Sequence, residues 1–202
     1  MRSVPVPPGG HLSPEARQQV AVLFDAILPG TATAPGATDV GAAGFLDVLL
    51  SADEELFYEV PAWRRTYAAA LPALDGVARE RFGHPLGELP DGDARELVAA
   101  LAAGDLPGLP EGVDARRLFA TLRNHCIEGC FADPRWGGNR DEAMWRWLGY
   151  GRPPEGADIA TPSGITGPAG TDPEAEAEVV PDGVMIVAST TELTLTVSEA
   201  AR

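Results

Sequence analysis

Along the first 150 residues, apolar side chains recur three and four positions apart, the period of helices that bury one side. Ser13 followed by Pro14 and Glu15 reads as a helix start, since Ser caps, Pro fits the first turn and an acid suits the positive end of the helix dipole. Val20, Leu23, Phe24 and Ile27 keep the helical spacing from there, and Pro29-Gly30 closes the element. Thr31 to Asp39 is turn-rich, after which Val40, Phe45, Leu46, Leu49 and Leu50 mark a second helix. Asp53 ahead of Glu54-Glu55 predicts a cap for a third, which Pro61 either kinks or replaces with a new helix. Trp63, Tyr67, Ala70, Leu71, Leu74, Val77 and Ala78 then hold the 3.6-residue period across about four turns. A bend is expected at Pro72, and Gly83-His84-Pro85 ends the run. Asp91 or Asp93 is placed to cap a helix carrying Leu97, Val98 and Leu101. Asp114 is placed to cap another, with Leu118, Leu122 and Ile127 among its buried candidates.

Five or six helices and no convincing strand before residue 150 make the class all-α. The expected organisation is a flexible N-terminus over 1–11, one helical domain over 12–150 and a tail over 151–202. The tail holds nine acids and two Arg among many Pro, Gly and Thr, a composition that predicts disorder or ordering by a partner. Its last part differs: Val184 to Val187 is apolar, and Leu193, Leu195 and Val197 alternate with polar residues. That pattern fits a short β-hairpin or a strand added to a partner's sheet.

Composition narrows the partners. With 202 residues and 45% hydrophobic content the chain supports one core and a tail. All 15 basic residues are Arg, set against 30 acids for a net charge of -15, which argues against nucleic acid or an anionic membrane surface. No stretch approaches the roughly 18–20 apolar residues of a membrane span. Met1 to Gly10, with one Arg and three Pro, has neither a secretory signal nor an anchor, and a cytoplasmic location is expected. Cys126 and Cys130 lie four apart on a helix, where a disulfide has poor geometry, so free thiols in a reducing compartment are the reading.

Glu128 to Tyr150 contains three of the four Trp. Asp133-Pro134 starts a turn, Gly137-Gly138-Asn139 tolerates positive φ and close backbone approach, and Asp141-Glu142 opens a short helix with Met144, Trp147 and Leu148 on a shared side. Trp, Tyr and Arg are the residues that dominate binding hot spots. The expected partner-facing set is Phe131, Asp133, Pro134, Arg135, Trp136, Gly137, Gly138, Asn139, Arg140, Trp145 and Tyr150, with core closure as the plainer alternative for each aromatic. Gly-Gly-Asn lacks the Lys and the strand-to-helix setting of a phosphate-binding loop.

Other chemistry is thinner. His125, Cys126, Glu128 and Cys130, with His84 as a further ligand, form the most suggestive metal set, yet the paired Cys or His spacing of structural zinc is missing and buried free Cys is common packing. His125 and Cys126 are adjacent on the helix, so their side chains diverge. Glu54-Glu55 and Asp141-Glu142 suit helix N-termini, and Arg64-Arg65 and Arg116-Arg117 suit solvated faces. Two alternatives follow: a free-standing metal-dependent enzyme on His125, Cys126 and Cys130, and a chaperone-like protein that holds an unfinished partner through its acidic tail.

The Glu128–Tyr150 run, with its phenylalanine, aspartate-proline, aromatic, glycine-glycine-asparagine and glycine-aromatic end, resembles the signature of the gluconate 2-dehydrogenase subunit 3 family. Leu28-Pro29, Pro35-Gly36-Ala37, Val40-Gly41 and Phe45-Leu46-Asp47 are similar to that family's N-terminal pattern, and Leu71 to Leu89 resembles its middle helix. The resemblance covers roughly residues 12 to 150. It implies a small subunit with no catalytic residue, metal or cofactor of its own, beside a large flavoprotein of the glucose-methanol-choline type that carries FAD and oxidises sugars, sugar acids or polyols. In some such complexes a cytochrome c subunit receives the electrons. Many members carry a twin-arginine export signal and are thought to help fold or export the flavoprotein. This sequence has only Arg2 and no apolar region near it, so a cytosolic complex is expected.

Overall fold

The computed structural model describes residues 6–150. They form six α-helices and no strand: α1 Pro14–Ile27, α2 Ala42–Ser51, α3 Val60–Phe82, α4 Asp91–Ala103, α5 Ala115–Phe131 and α6 Ala143–Trp147. Short 3-10 turns lie at Leu86–Glu88, Pro134–Trp136 and Arg140–Glu142. The all-α class and the helix number are those expected, and none of these helices is long and apolar enough to cross a membrane. The tail, with the strand expected in its last part, lies outside the described residues, as do residues 1–5.

Two caps form as predicted. Ser13 Oγ accepts the Ala16 N–H at 3.1 Å, and Asp114 Oδ1 accepts that of Arg117 at 2.8 Å. Two others do not. Residues 53–57 make turns in which the Leu56 and Phe57 N–H groups return to the Asp53 carbonyl at 2.9 and 3.1 Å. α3 starts seven residues after Asp53, with Pro61 in its first turn, where the missing N–H costs nothing. α4 begins on Asp91 itself, after Pro90, so Asp91 and Asp93 occupy the first turn and favour it through the dipole without capping it. α3 continues through Pro72 and ends at Gly83, whose left-handed φ of 79° closes it as predicted.

α2 packs on α5, α1 crosses α2 and α4, and α4 lies on α5. Leu23 and Phe24 of α1, Leu46 and Leu50 of α2, Leu74 of α3, Leu97 and Leu101 of α4, and Leu122 of α5 are fully buried between them, each favouring the fold by about 2 kcal/mol over exposure. Ile127, expected inside, is instead 45% exposed. The buried stripe of α5 runs through Leu118, Leu122, Cys126 and Cys130, and at about 100° per residue Ile127 falls about 60° beyond its edge.

A buried acid ties the N-terminal segment down. Asp47 of α2 accepts the Gly10 and Leu12 N–H groups at 2.8 and 2.7 Å and pairs with the Arg17 guanidinium. Burial raises its pKa, but those N–H groups and Arg17 outweigh burial and hold the carboxyl below its usual range.

Candidate functional site

The segment after α5 is built on glycine contacts. A Cβ on Gly138 would stand 2.1 Å from the Gly129 carbonyl oxygen, one on Gly129 2.8 Å from that of Ala42, and one on Gly44 2.5 Å from that of Gly137. Only glycine lets these backbones meet, which brings α2, α5 and the loop into direct contact. The Asn139 N–H donates to the Gly129 carbonyl and that of Arg140 to the Val40 carbonyl, both at 2.9 Å. Asn139 itself is fully buried: its amide donates to the Ala132 carbonyl at 3.1 Å and its Oδ1 accepts the Met144 N–H at 3.0 Å. One side chain therefore joins the end of α5 to the start of α6. Asn139, Asp141 and Glu142 all take left-handed backbone, a cost that the buried, hydrogen-bonded side chain of Asn139 helps to sustain at the first of them.

The residues singled out in the sequence separate into layers. Gly138 and Asn139 are buried against the chain's own helices, so a partner meets neither directly. Phe131 and Trp145 are half-buried and joined, the Trp145 indole N–H donating to the Phe131 carbonyl at 2.8 Å. Trp136, also half-buried, sets its ring edge-on to Phe57 with centroids 5.9 Å apart. Asp133 and Pro134 are half-buried, and Asp133 accepts the Arg135 N–H and pairs with its guanidinium at 2.9 Å. Arg135, Gly137, Arg140 and Tyr150 are exposed, and the Arg140 guanidinium lies over Gly41. Met144, Trp147 and Leu148 do not share a buried side, because α6 is only five residues long: Met144 is buried, while Trp147 and Leu148 stand in solvent.

His125 and the cysteines belong to the core. His125 Nδ1 is 2.9 Å from the Tyr67 hydroxyl, Trp63 meets the imidazole edge-on at 4.8 Å, and Tyr67 stacks on it at 5.8 Å. Burial drives the His125 pKa down to about 4, so the ring is neutral at neutral pH. Burial likewise raises the Tyr67 hydroxyl, with Cys126 and Glu128 adding to it. Cys126 and Cys130 are buried free thiols, as expected. The Cys126 thiol donates to the Phe24 carbonyl at 3.6 Å, and hydrogen bonding to Cys130 and burial raise its pKa, the opposite of an activated thiolate. Among the described residues no three His, Cys, Asp or Glu side chains converge as a metal-holding group. Sequence reasoning missed the Trp63–Tyr67–His125 cluster, whose one signal was the i, i+4 spacing of two aromatics on α3. It also missed Tyr58 and Ile127 as exposed apolar residues.

These features define a small all-α domain whose C-terminal end is clasped by buried glycines and Asn139 and edged outward with aromatic residues. Residues 14–152 match the model of the family described as Gluconate 2-dehydrogenase subunit 3, a match that spans all six helices of the described residues, and the chain belongs to that family. Neither the curated proteins nor the solved structures yield a match.

Proposed function

We propose that this protein is the non-catalytic small subunit of a flavin-dependent dehydrogenase or oxidase of the glucose-methanol-choline type, acting on sugars, sugar acids or polyols. It docks on the large flavoprotein and stabilises or matures it. FAD belongs to that partner, and a cytochrome c subunit takes the electrons where the complex has three parts. The observation that carries this reading is the family match across the whole helical domain: a third subunit presupposes others. Supporting it, the groups that looked most reactive, His125, Cys126 and Cys130, are engaged in packing, whereas Trp147, Leu148 and Tyr150 are open to solvent. The test is co-expression with a glucose-methanol-choline-type flavoprotein from the same genome, followed by affinity capture. A defined complex is expected, and recovery of the two chains separately would contradict the proposal.

A further inference from the structure

The segment ahead of α1, residues 6–12, reads Val-Pro-Pro-Gly-Gly-His-Leu and has few means of holding itself to the helices. Its two prolines carry no N–H to donate. Gly9 and Gly10 take left-handed φ of 78° and 93°, and glycine gives up more chain entropy on ordering than any other residue. Among the described residues no backbone-to-backbone hydrogen bond involves this segment. Its hydrogen bonds to the described residues are two, from the Gly10 and Leu12 N–H groups, and both end on the Asp47 carboxylate, at 2.8 and 2.7 Å.

One carboxylate thus serves as the whole polar attachment, and it can let go. Arg17 of α1 pairs with Asp47, and that pair belongs to the helices, so the buried charge keeps a partner when the segment lifts. α1 does not depend on the segment either, because the Ser13 hydroxyl caps it. What the segment covers is well placed. A Cβ on Gly9 would stand 3.5 Å from Val48 Cγ2 and one on Gly137 3.1 Å from the same methyl, so the segment and the Gly-Gly-Asn loop close over Val48 together. Leu12, half-buried against the core, also lines two cavities, one of about 430 Å³ with Arg64, Tyr67 and Leu71, the other of about 580 Å³ with Gly44, Gly137 and Arg140.

We propose that residues 6–12 are a strap latched by Asp47, which lifts as a unit while the six helices stay folded and, on lifting, uncovers Val48 beside the Gly-Gly-Asn loop and removes Leu12 from the wall of both cavities. Segments held by few apolar contacts and few hydrogen bonds open locally, well below the free energy of global unfolding. Here the charge-assisted bonds to one carboxylate set that local opening.

Native-state hydrogen exchange on the full-length chain tests this by comparing the Gly10 and Leu12 amides with those of α5. In the unaltered chain the strap amides are expected to exchange through an opening that low urea hardly accelerates, while the α5 amides need the urea-sensitive global one. Asp47→Asn is expected to speed the strap amides by about 10- to 100-fold and to leave the α5 amides unchanged. Thiol labelling of Val48→Cys is expected to rise by a similar factor when Asp47→Asn is added, Cys126 and Cys130 being buried. Strap amides that exchange only together with α5 in the unaltered chain would overturn the inference. Unchanged strap exchange in Asp47→Asn would do so by assigning the attachment to Leu12 packing, and unchanged labelling at position 48 by showing that nothing is uncovered. Faster exchange throughout α5, or loss of helical circular dichroism in Asp47→Asn, would mean that Asp47 holds the bundle and not the strap. An equal rise at Gly10 and Leu12 in Asp114→Asn, which removes a carboxylate from the start of α5 and keeps its cap, would make the effect one of net charge and overturn it as well.

Discussion

Asn139 satisfies two backbone groups that have no other partner nearby, the Ala132 carbonyl and the Met144 N–H. Asn139→Ala leaves the buried Met144 N–H and the partly buried Ala132 carbonyl unpaired, the first costing about 1–3 kcal/mol and the second less, so a loss of about 2–3 kcal/mol is expected in urea unfolding. The full-length chain should stay helical and lose its ordered C-terminal edge first. His125 carries a second residue-level consequence. Its folded pKa of about 4 lies below the ordinary 6.5, so the unfolded chain takes up the proton first. The stability from a neutral buried ring is fully present above pH 6.5 and is lost as pH falls toward 4, by about 3 kcal/mol in all. Glu128, raised by burial and by Glu59, works in the opposite direction. Unfolding of the unaltered chain and His125→Gln at about pH 7 and about pH 4.5 isolates the imidazole: the variant should show the shallower acid loss, and parallel curves would refute the assignment.

At the scale of elements, the helices were legible because each buries one stripe, and a 3.6-residue period survives almost any loop chemistry. Their starts were less so. An acid before Glu54-Glu55 suits a turn as well as a helix, and only the position of Pro61 distinguishes the two. The loop misled for a different reason. Gly137-Gly138-Asn139 announces that a backbone comes close, but not which one, and the answering residues, Gly44 and Gly129, lie inside helices, Gly44 far away along the chain. Ile127 was apolar and helical, yet off the stripe by a fraction of a turn. Pro72 offers an element-scale test. It sits exposed within α3 and removes one backbone hydrogen bond from the helix. Pro72→Ala should raise stability by about 1–2 kcal/mol after the gain in unfolded-chain entropy is subtracted, read as a higher urea midpoint, and a lower midpoint would mean that the proline supports packing.

For the whole molecule, the resemblance seen in the Glu128–Tyr150 run is matched by the family assignment across residues 14–152. The division of labour in that run was hidden, because sequence places aromatic residues in order along the chain and cannot say which are clasped inward. Trp145 is held against α5 by its own N–H, whereas Trp147, two residues on, faces water. A chain that uses His125, Cys126 and Cys130 for packing and leaves Trp147, Leu148 and Tyr150 in solvent is suited to holding another protein. The most direct test of that claim is the flavin content of the proposed flavoprotein partner purified from cells that make this chain and from cells that do not. Full flavin occupancy with the chain, and a marked deficit in flavin and soluble yield without it, is the predicted result. Equal occupancy, yield and dehydrogenase activity in both would contradict it.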